Sequence, residues 1–227
     1  MARAKLVLFS VIAFGLLLIG LGSFYYEDHY LLISLIFVIL TLLPFFLRYE
    51  MRNIAGRELV LVAILAAIAA VSRIPFAPIP SVQPTSFVIM MAGYVFGAET
   101  GFMVGAIAAL VSNMFLGQGP WTPWQMFAWG MIGFSTGLLR NTWWMATKAG
   151  KLIFGFLWGF LFGWIMNLTF IFTFIDDFSW TAFFTAYMGS IIFDTMHALS
   201  NVVFLLIFGT AWIKTLERFK RKYGMLH

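Results

Sequence analysis

The sequence contains no cysteine and very few charged residues. Without cysteine there are no disulfides, no thiol nucleophile and no thiolate metal ligand. Only 10% of the residues are charged and 62% are hydrophobic, whereas ordinary globular domains carry roughly 25% charged residues. So little charge does not cover a water-facing surface, and we therefore expect the surroundings of the chain to be largely lipid.

Motifs for nucleotide binding and hydrolysis are also missing. The chain has no Walker-type phosphate loop, no HExxH and no GxSxG. We expect no enzyme activity, no cofactor and no resident metal, and any use of ATP must depend on a partner.

Long uncharged runs predict the helices that span the membrane. The runs are Leu6–Tyr26, Tyr30–Leu47, Leu59–Ser72, Thr85–Ala98, Gly101–Leu116, Trp124–Leu139, Leu152–Phe174 and about Phe183–Ile213. Composition changes near residues 48–58, from plain Leu, Ile and Phe to small and polar residues. We predict an all-α integral membrane protein. Residues 1–50 form a two-helix extension, and residues 51–227 form a six-helix core with a basic C-terminal tail.

The distribution of positive charge predicts the orientation. If the N-terminus is cytoplasmic and the chain crosses eight times, 13 of the 14 basic residues lie in the cytoplasm and only Arg73 lies outside. Both termini are then cytoplasmic. Because the basic residues alternate with apolar spans, their partner is a membrane surface and not nucleic acid.

Neutral polar and aromatic residues are concentrated between Asn113 and Gly130. An interfacial aromatic belt explains tryptophans at a boundary, but not the amides and prolines beside them. Flat aromatic faces and neutral amides suit a polar, largely uncharged ligand. Four prolines stiffen the segment from Arg73 to Pro84, which we expect to border the same pocket. The predicted substrate-binding residues are Arg73, Gln83, Asn113, Gln118, Trp121, Trp124, Gln125 and Asn167.

Small residues recur every four positions in three of the predicted helices. The stripes are Ala63/Ala67 and Ala66/Ala70, then Gly101/Gly105/Ala109, then Gly155/Gly159/Gly163. Such stripes let helix backbones approach closely in lipid. We interpret the two glycine stripes as packing within the chain. For the four alanines, two interpretations stay open, internal packing and a docking face for another membrane subunit.

The last helix carries three polar residues on one face. Asp194, His197 and Asn201 are spaced i, i+3 and i+7, and Asp194 falls near the middle of the membrane. A charge at that depth is costly, so we expect it to face the interior with His197 as its nearest partner. The pair either fixes helix packing or relays protons. One His and one Asp make only half a metal site.

From about Arg57 to Ile213 the chain resembles the substrate-binding S components of energy-coupling factor (ECF) transporters. The run SNMFLGQGPWTPWQMFAWG carries the most specific part of the resemblance, and within the family it is most similar to the cobalamin-type S components. The resemblance implies a six-helix subunit in a prokaryotic cell membrane that captures a vitamin outside. It also implies docking, through an Ala-xxx-Ala face, on a transmembrane coupling subunit that carries two ATP-binding subunits.

Two alternatives differ from this prediction in substrate or in class. The first keeps the family and exchanges cobalamin or a related corrinoid for another micronutrient or vitamin precursor. The second is a stand-alone proton-coupled carrier that uses Asp194 and His197. A carrier transports alone, whereas an S component needs ATP and its partners.

Overall fold

A computed structural model describes residues 56–174 and 179–224, together with six helical positions between residues 36 and 47. For residues 172–174 only the backbone is described. The two predicted N-terminal helices lie almost wholly outside the described residues.

The described chain consists of helices and connecting loops. Its helices are α1 (Gly56–Arg73), α2 (Pro84–Phe96), α3 (Ala98–Leu116), α4 (Thr122–Leu139), α5 (Trp143–Ala146), α6 (Lys148–Phe174) and α7 (Trp180–Tyr223). A 3₁₀ turn, Ile74–Phe76, extends α1. The spans Gly56–Phe76, Ala98–Leu116, Lys148–Ile171 and Trp180–Tyr223 are long and apolar enough to cross a membrane. The prediction of an all-α membrane protein is confirmed.

Helix α2 begins and ends at residues that explain its short length. Pro84 occupies the first turn, where a missing N–H costs nothing. Gly97 has φ 103° and separates α2 from α3. Residues with a side chain rarely adopt this conformation, so the glycine permits a sharp reversal. As a result α2 ends at Phe96, two residues before the predicted end at Ala98.

Helix α7 is longer than the apolar pattern predicts. It has 44 residues and continues through the basic segment to Tyr223, whereas the prediction ended near Ile213. The Ser179 hydroxyl accepts a hydrogen bond from the Ala182 N–H at its start, and Gly224 ends it in the left-handed conformation. The predicted basic tail is therefore helical up to Tyr223. The prediction ended earlier because hydropathy marks the part of a helix that lies in the membrane and not the end of the helix itself.

The glycine stripes pack within the chain, as predicted. A side chain at Gly133 of α4 would collide with the backbone of Gly101 in α3, and one at Gly159 of α6 would collide with Ala198 in α7. These helices therefore touch backbone to backbone, which is a strong source of packing in lipid.

The four alanines of α1 divide between two faces. Ala66 and Ala70 are each 1% exposed and pack inside the chain, whereas Ala63 and Ala67 are exposed. Ala66 and Ala70 are thus occupied by internal packing and are removed from the predicted docking face. The hypothesis of a docking face is left with Ala63 and Ala67.

Candidate functional site

The helices define two ends of the bundle. At the polar end, α1 ends at Arg73, α2 begins at Pro84, α3 ends at Leu116 and α4 begins at Thr122. At the basic end, α6 begins and α7 ends, and the Arg57 guanidinium donates to the Gly224 carbonyl over 3.2 Å.

Arg73 joins three helices at the polar end. Its Nη1 donates to Ser112 Oγ at 3.0 Å and to Asn113 Oδ1 at 2.7 Å. Its guanidinium carbon lies 5.0 Å from the centroid of the Trp129 ring, within the range of a cation–π contact. The C-terminus of α1 is thereby attached to α3 and α4.

Asn113 continues this cluster toward α4. It is 1% exposed, and its Nδ2 donates to Thr122 Oγ1 at 3.1 Å and to Gln125 Oε1 at 2.7 Å. The Thr122 hydroxyl in turn donates to Gln118 Oε1 at 2.8 Å. We call these side chains the Arg73 network; its members are Arg73, Ser112, Asn113, Gln118, Thr122 and Gln125. The network joins four of the predicted site residues, and the contacts named here lie within the chain.

The tryptophans of the polar stretch have different environments. Trp124 is 3% exposed and belongs to the hydrophobic core, so it is not available as the predicted ligand platform in this conformation. Trp129 is fully buried, and its Nε1 donates to Ser86 Oγ at 3.0 Å. Trp121 is half-buried, with its indole against Gly119. Of the three tryptophans between Asn113 and Gly130, only Trp121 is partly exposed.

Asp194 and His197 are both buried but bind different partners. His197 Nε2 lies 2.8 Å from Ser86 Oγ, and the Phe162 ring stands edge-on to the imidazole at 4.9 Å. Asp194 Oδ2 accepts from Ser190 Oγ at 2.9 Å. The predicted Asp194–His197 pair is corrected to two separate contacts, because the i+3 spacing places the residues on one face but at different neighbours.

Asn167 and Asp194 share a hydrogen-bond partner, Ser190, whereas Gln83 contacts a different part of α7. Asn167 Nδ2 donates to Ser190 Oγ at 2.7 Å. The Gln83 N–H donates to Ser200 Oγ at 3.1 Å. Within the described part of the chain, Gln83 Oε1 and Asn201 Oδ1 are buried acceptors without a hydrogen-bond donor. Buried acceptors are ordinarily satisfied, so these two oxygens are unusual.

An open groove lies between the last turns of α6 and the first turns of α7. Its volume is about 770 Å³, inside the range typical of small-molecule sites. Asn167 and Ser190 supply polar atoms at its base, and Thr181, Thr185 and Phe193 line its walls. The lining is neutral. The described residues contain no group of three or more potential metal ligands.

Three residues that hydrogen-bond to predicted site residues were not predicted from the sequence: Ser190, Thr122 and Ser86. Ser190 precedes Asp194 by one helical turn, so the i, i+4 spacing was a usable signal. For Thr122 the signal in the sequence was weaker: its hydroxyl lies close in sequence to the amides of Gln118 and Gln125. Ser86 had none, because its partner His197 is 111 positions away.

The fold and these polar groups define a multi-pass helical membrane protein with a neutral groove. The family model for the ECF-type riboflavin transporter S component matches residues 53–218, and the chain belongs to this family. This family consists of transporter S components and is not an enzyme family. S components work with an ECF transmembrane and ATPase module.

Curated relatives match a shorter part of the chain. UPF0397 proteins of Vibrio atlanticus (strain LGP32) and Aliivibrio fischeri (strain MJ11) are each 30% identical over 91 residues, which is 38% of this chain. The match covers 50% and 49% of their lengths, so the chain spans about half of the relatives it matches. No solved structure matches the chain.

The family match supports the predicted family but not the predicted substrate. It supports an ECF S component, as predicted, but its description names riboflavin and gives no support to cobalamin-type specificity. The alternative of another vitamin within the same family agrees with it.

Proposed function

We propose that the protein captures riboflavin, or a vitamin of the same flat heteroaromatic class, for ATP-driven uptake with its ECF partners. The observation that carries the proposal is the family match over residues 53–218 together with a neutral groove of about 770 Å³. A flavin offers a flat ring for aromatic contact and amide and hydroxyl groups for hydrogen bonds, which Asn167, Ser190 and the threonines complement. Cobalamin, favoured by the sequence resemblance, is the competing substrate.

Within this proposal the predicted site residues take different roles. Asn167 contacts the ligand in the groove. Gln83 lies outside the groove lining and acts indirectly, through the hydrogen bond of its N–H to Ser200 on α7. Trp121 also lies outside the lining, and we assign it an aromatic face at the same polar end of the bundle. Arg73, Asn113, Gln118 and Gln125 act indirectly, by holding α1, α3 and α4 in position, and Trp124 acts through core packing.

The proposed partners are one coupling subunit and two ATP-binding subunits. Ala63 and Ala67 present the small, exposed surface on α1 that another helix needs for close approach. We place the substrate site outside the cell and both termini inside, in the cell membrane of a prokaryote, on the strength of the basic residues.

A proton-coupled carrier is the weaker alternative. It needs a route for protons through Asp194 and His197, whereas these side chains hydrogen-bond to Ser190 and Ser86 respectively.

Titration of the purified protein tests the substrate. Riboflavin fluoresces, so its quenching on binding gives an affinity, and cobalamin and thiamine serve as competitors. We expect saturable quenching that neither competitor relieves. We expect Asn167→Leu to weaken binding by about tenfold, because the partly buried amide that lines the groove and donates to Ser190 is lost.

A matched asparagine provides the control. Asn141 is exposed near the basic end, and Asn141→Leu should bind riboflavin as the unmodified protein does. Tight cobalamin binding without riboflavin binding would show that the substrate is a corrinoid. Binding of none of the three vitamins would overturn the proposed substrate class.

A further inference from the structure

A second cavity lies at the basic end, far from the groove described above. It is a slot of about 270 Å³ between α6 and α7, closed on one side by Tyr94 of α2. Lys148, Lys151 and Lys214 stand at its rim, and Leu205, Gly209 and Ile213 line its interior. Its chemistry therefore changes from cationic to apolar along its depth.

The cationic rim is held in place by contacts with the chain. Lys151 Nζ donates to the carbonyls of Ala146 and Thr147 at 3.1 and 3.2 Å, and it lies 4.8 Å from the centroid of the Tyr94 ring. In the adjoining polar pocket, Arg140 Nη1 and Lys220 Nζ both donate to the Val95 carbonyl, at 3.3 and 3.2 Å. Apart from Glu217, which lines the same polar pocket, the charged residues beside Tyr94 in these two cavities are basic.

The apolar interior has room for a hydrocarbon chain. A methyl group built on Gly209 would meet only Leu205 Cδ2, at 3.9 Å, so the space beside this glycine is open. Ile207 and Phe208, next to it on α7, are exposed and lie on a helix that crosses the membrane.

We propose that this slot binds one anionic phospholipid, with the headgroup phosphate at Lys148 and Lys214 and an acyl chain beside Gly209. A phosphate group alone would satisfy the rim, but it would leave the apolar interior unused. Basic pockets between transmembrane helices favour anionic headgroups, and each basic residue near a membrane surface contributes by charge attraction. The inference does not depend on the identity of the vitamin.

Native mass spectrometry of the purified protein, titrated with phosphatidylglycerol, measures the binding. Phosphatidylcholine with the same acyl chains tests the charge, and inorganic phosphate tests the headgroup without the chain. We expect phosphatidylglycerol to bind and to raise the thermal stability, and the other two to do neither. Equal binding of phosphatidylcholine, or equal stabilisation by phosphate, would overturn the proposal.

Two pairs of substitutions separate the slot from the general basic surface. Lys148→Gln/Lys214→Gln should weaken phosphatidylglycerol binding about 25-fold, since one lysine near a membrane is worth roughly fivefold. Arg218→Gln/Lys222→Gln removes the same charge from the same end but from outside the slot, and it should leave binding unchanged. Equal weakening by both pairs would show a diffuse charge effect and contradict a defined site.

The acyl chain is tested by filling its space. Gly209→Ala should reduce phosphatidylglycerol binding, and Gly209→Leu should reduce it further. Both variants should keep their thermal stability without lipid, because alanine and leucine favour a helix more than glycine does. Unchanged binding in a folded Gly209→Leu variant would contradict the acyl-chain position. If an acidic membrane partner occupies the rim instead, the Lys148→Gln/Lys214→Gln variant will lose partner binding and keep its affinity for phosphatidylglycerol. That result would overturn the proposal.

Discussion

Arg73 shows how one charged side chain organises three helices. It ends α1, reaches Ser112 and Asn113 on α3, and stacks on Trp129 of α4. The charge prediction placed it alone on the outer side, which made it a candidate for ligand contact. Its hydrogen bonds are made within the chain, and we therefore propose a positioning role for it.

Replacement of Arg73 tests this role. Arg73→Gln removes a charged donor and leaves the buried Asn113 carbonyl without it, which costs about 2 kcal/mol. For a chain of this size we expect the unfolding temperature to fall by about 4–8 °C. Ser112→Ala, which removes the longer of the two hydrogen bonds, should cause a smaller fall. Equal stability of Arg73→Gln and the unmodified protein would contradict the positioning role.

Trp121 is the tryptophan whose removal reports on ligand contact. Because it is half-buried, Trp121→Ala should preserve folding and weaken vitamin binding by about 1–3 kcal/mol, or ~5- to 150-fold. Trp143, which is 84% exposed at the opposite end, supplies the matched control, and Trp143→Ala should leave affinity unchanged. Trp124→Ala is unsuitable because a core tryptophan costs several kcal/mol of stability. Equal affinity in both variants would assign Trp121 to an aromatic belt.

At the scale of the helix, α1 and α7 each combine two surfaces. One face of α1 packs through Ala66 and Ala70, and the other exposes Ala63 and Ala67. Helix α7 buries Asp194 and His197 in its middle, and it lines a cavity near each end. Under the proposals above, such helices connect internal packing with contacts to a partner, a vitamin or a lipid.

A bulky residue on the exposed face of α1 tests docking. Ala67→Trp should abolish ATP-dependent uptake and spare vitamin binding by the isolated subunit, because only close approach by a partner helix is blocked. Ala211, an exposed alanine on α7, provides the control, and Ala211→Trp should retain uptake. Uptake by Ala67→Trp at the normal rate would remove the docking hypothesis, whereas loss of binding together with uptake would indicate internal packing.

Asp194 distinguishes a structural role from proton coupling. Asp194→Asn retains an oxygen that accepts from Ser190 and nearly the same volume beside Gly163. We therefore expect uptake to continue with an unchanged pH profile. Asp194→Ala should lower the unfolding free energy by about 1–2 kcal/mol, because Ser190 loses its acceptor. Uptake that disappears in a stable, vitamin-binding Asp194→Asn variant would favour the carrier.

At the scale of the molecule, the distribution of basic residues predicts the orientation in the membrane. The chain lacks cysteine, so a single introduced cysteine reports its own position without background. Gln118 and Thr147 are both exposed and lie at opposite ends. In intact cells, Gln118→Cys should react with a membrane-impermeant reagent and Thr147→Cys only after lysis. The reverse pattern would invert the topology and move the proposed site to the cytoplasm.

The sequence predicted the helices better than the contacts between them. The uncharged run Thr85–Ala98 located the ends of α2 within two residues, and the local signals Pro84 and Gly97 account for the ends that the structure has. The prediction ended α7 too early, since lysines and arginines end an apolar run without ending a helix. The Arg73–Asn113 contact joins positions 40 apart, and the separation of Asp194 from His197 depends on neighbours supplied by other helices. Such contacts follow from the packing of the whole bundle.

The length of α7 has a mechanical consequence. At 1.5 Å per residue its 44 residues extend about 66 Å, whereas a bilayer with its headgroups is roughly 40–45 Å thick. One continuous helix therefore passes the groove between α6 and α7, the buried Asp194 and His197, and the slot beside Gly209. A rigid rod that is longer than its membrane is a lever, because a change in its tilt shifts both of its ends at once. A force that a partner applies at the basic end would consequently be felt, without any intermediate signal, at the groove proposed for the vitamin.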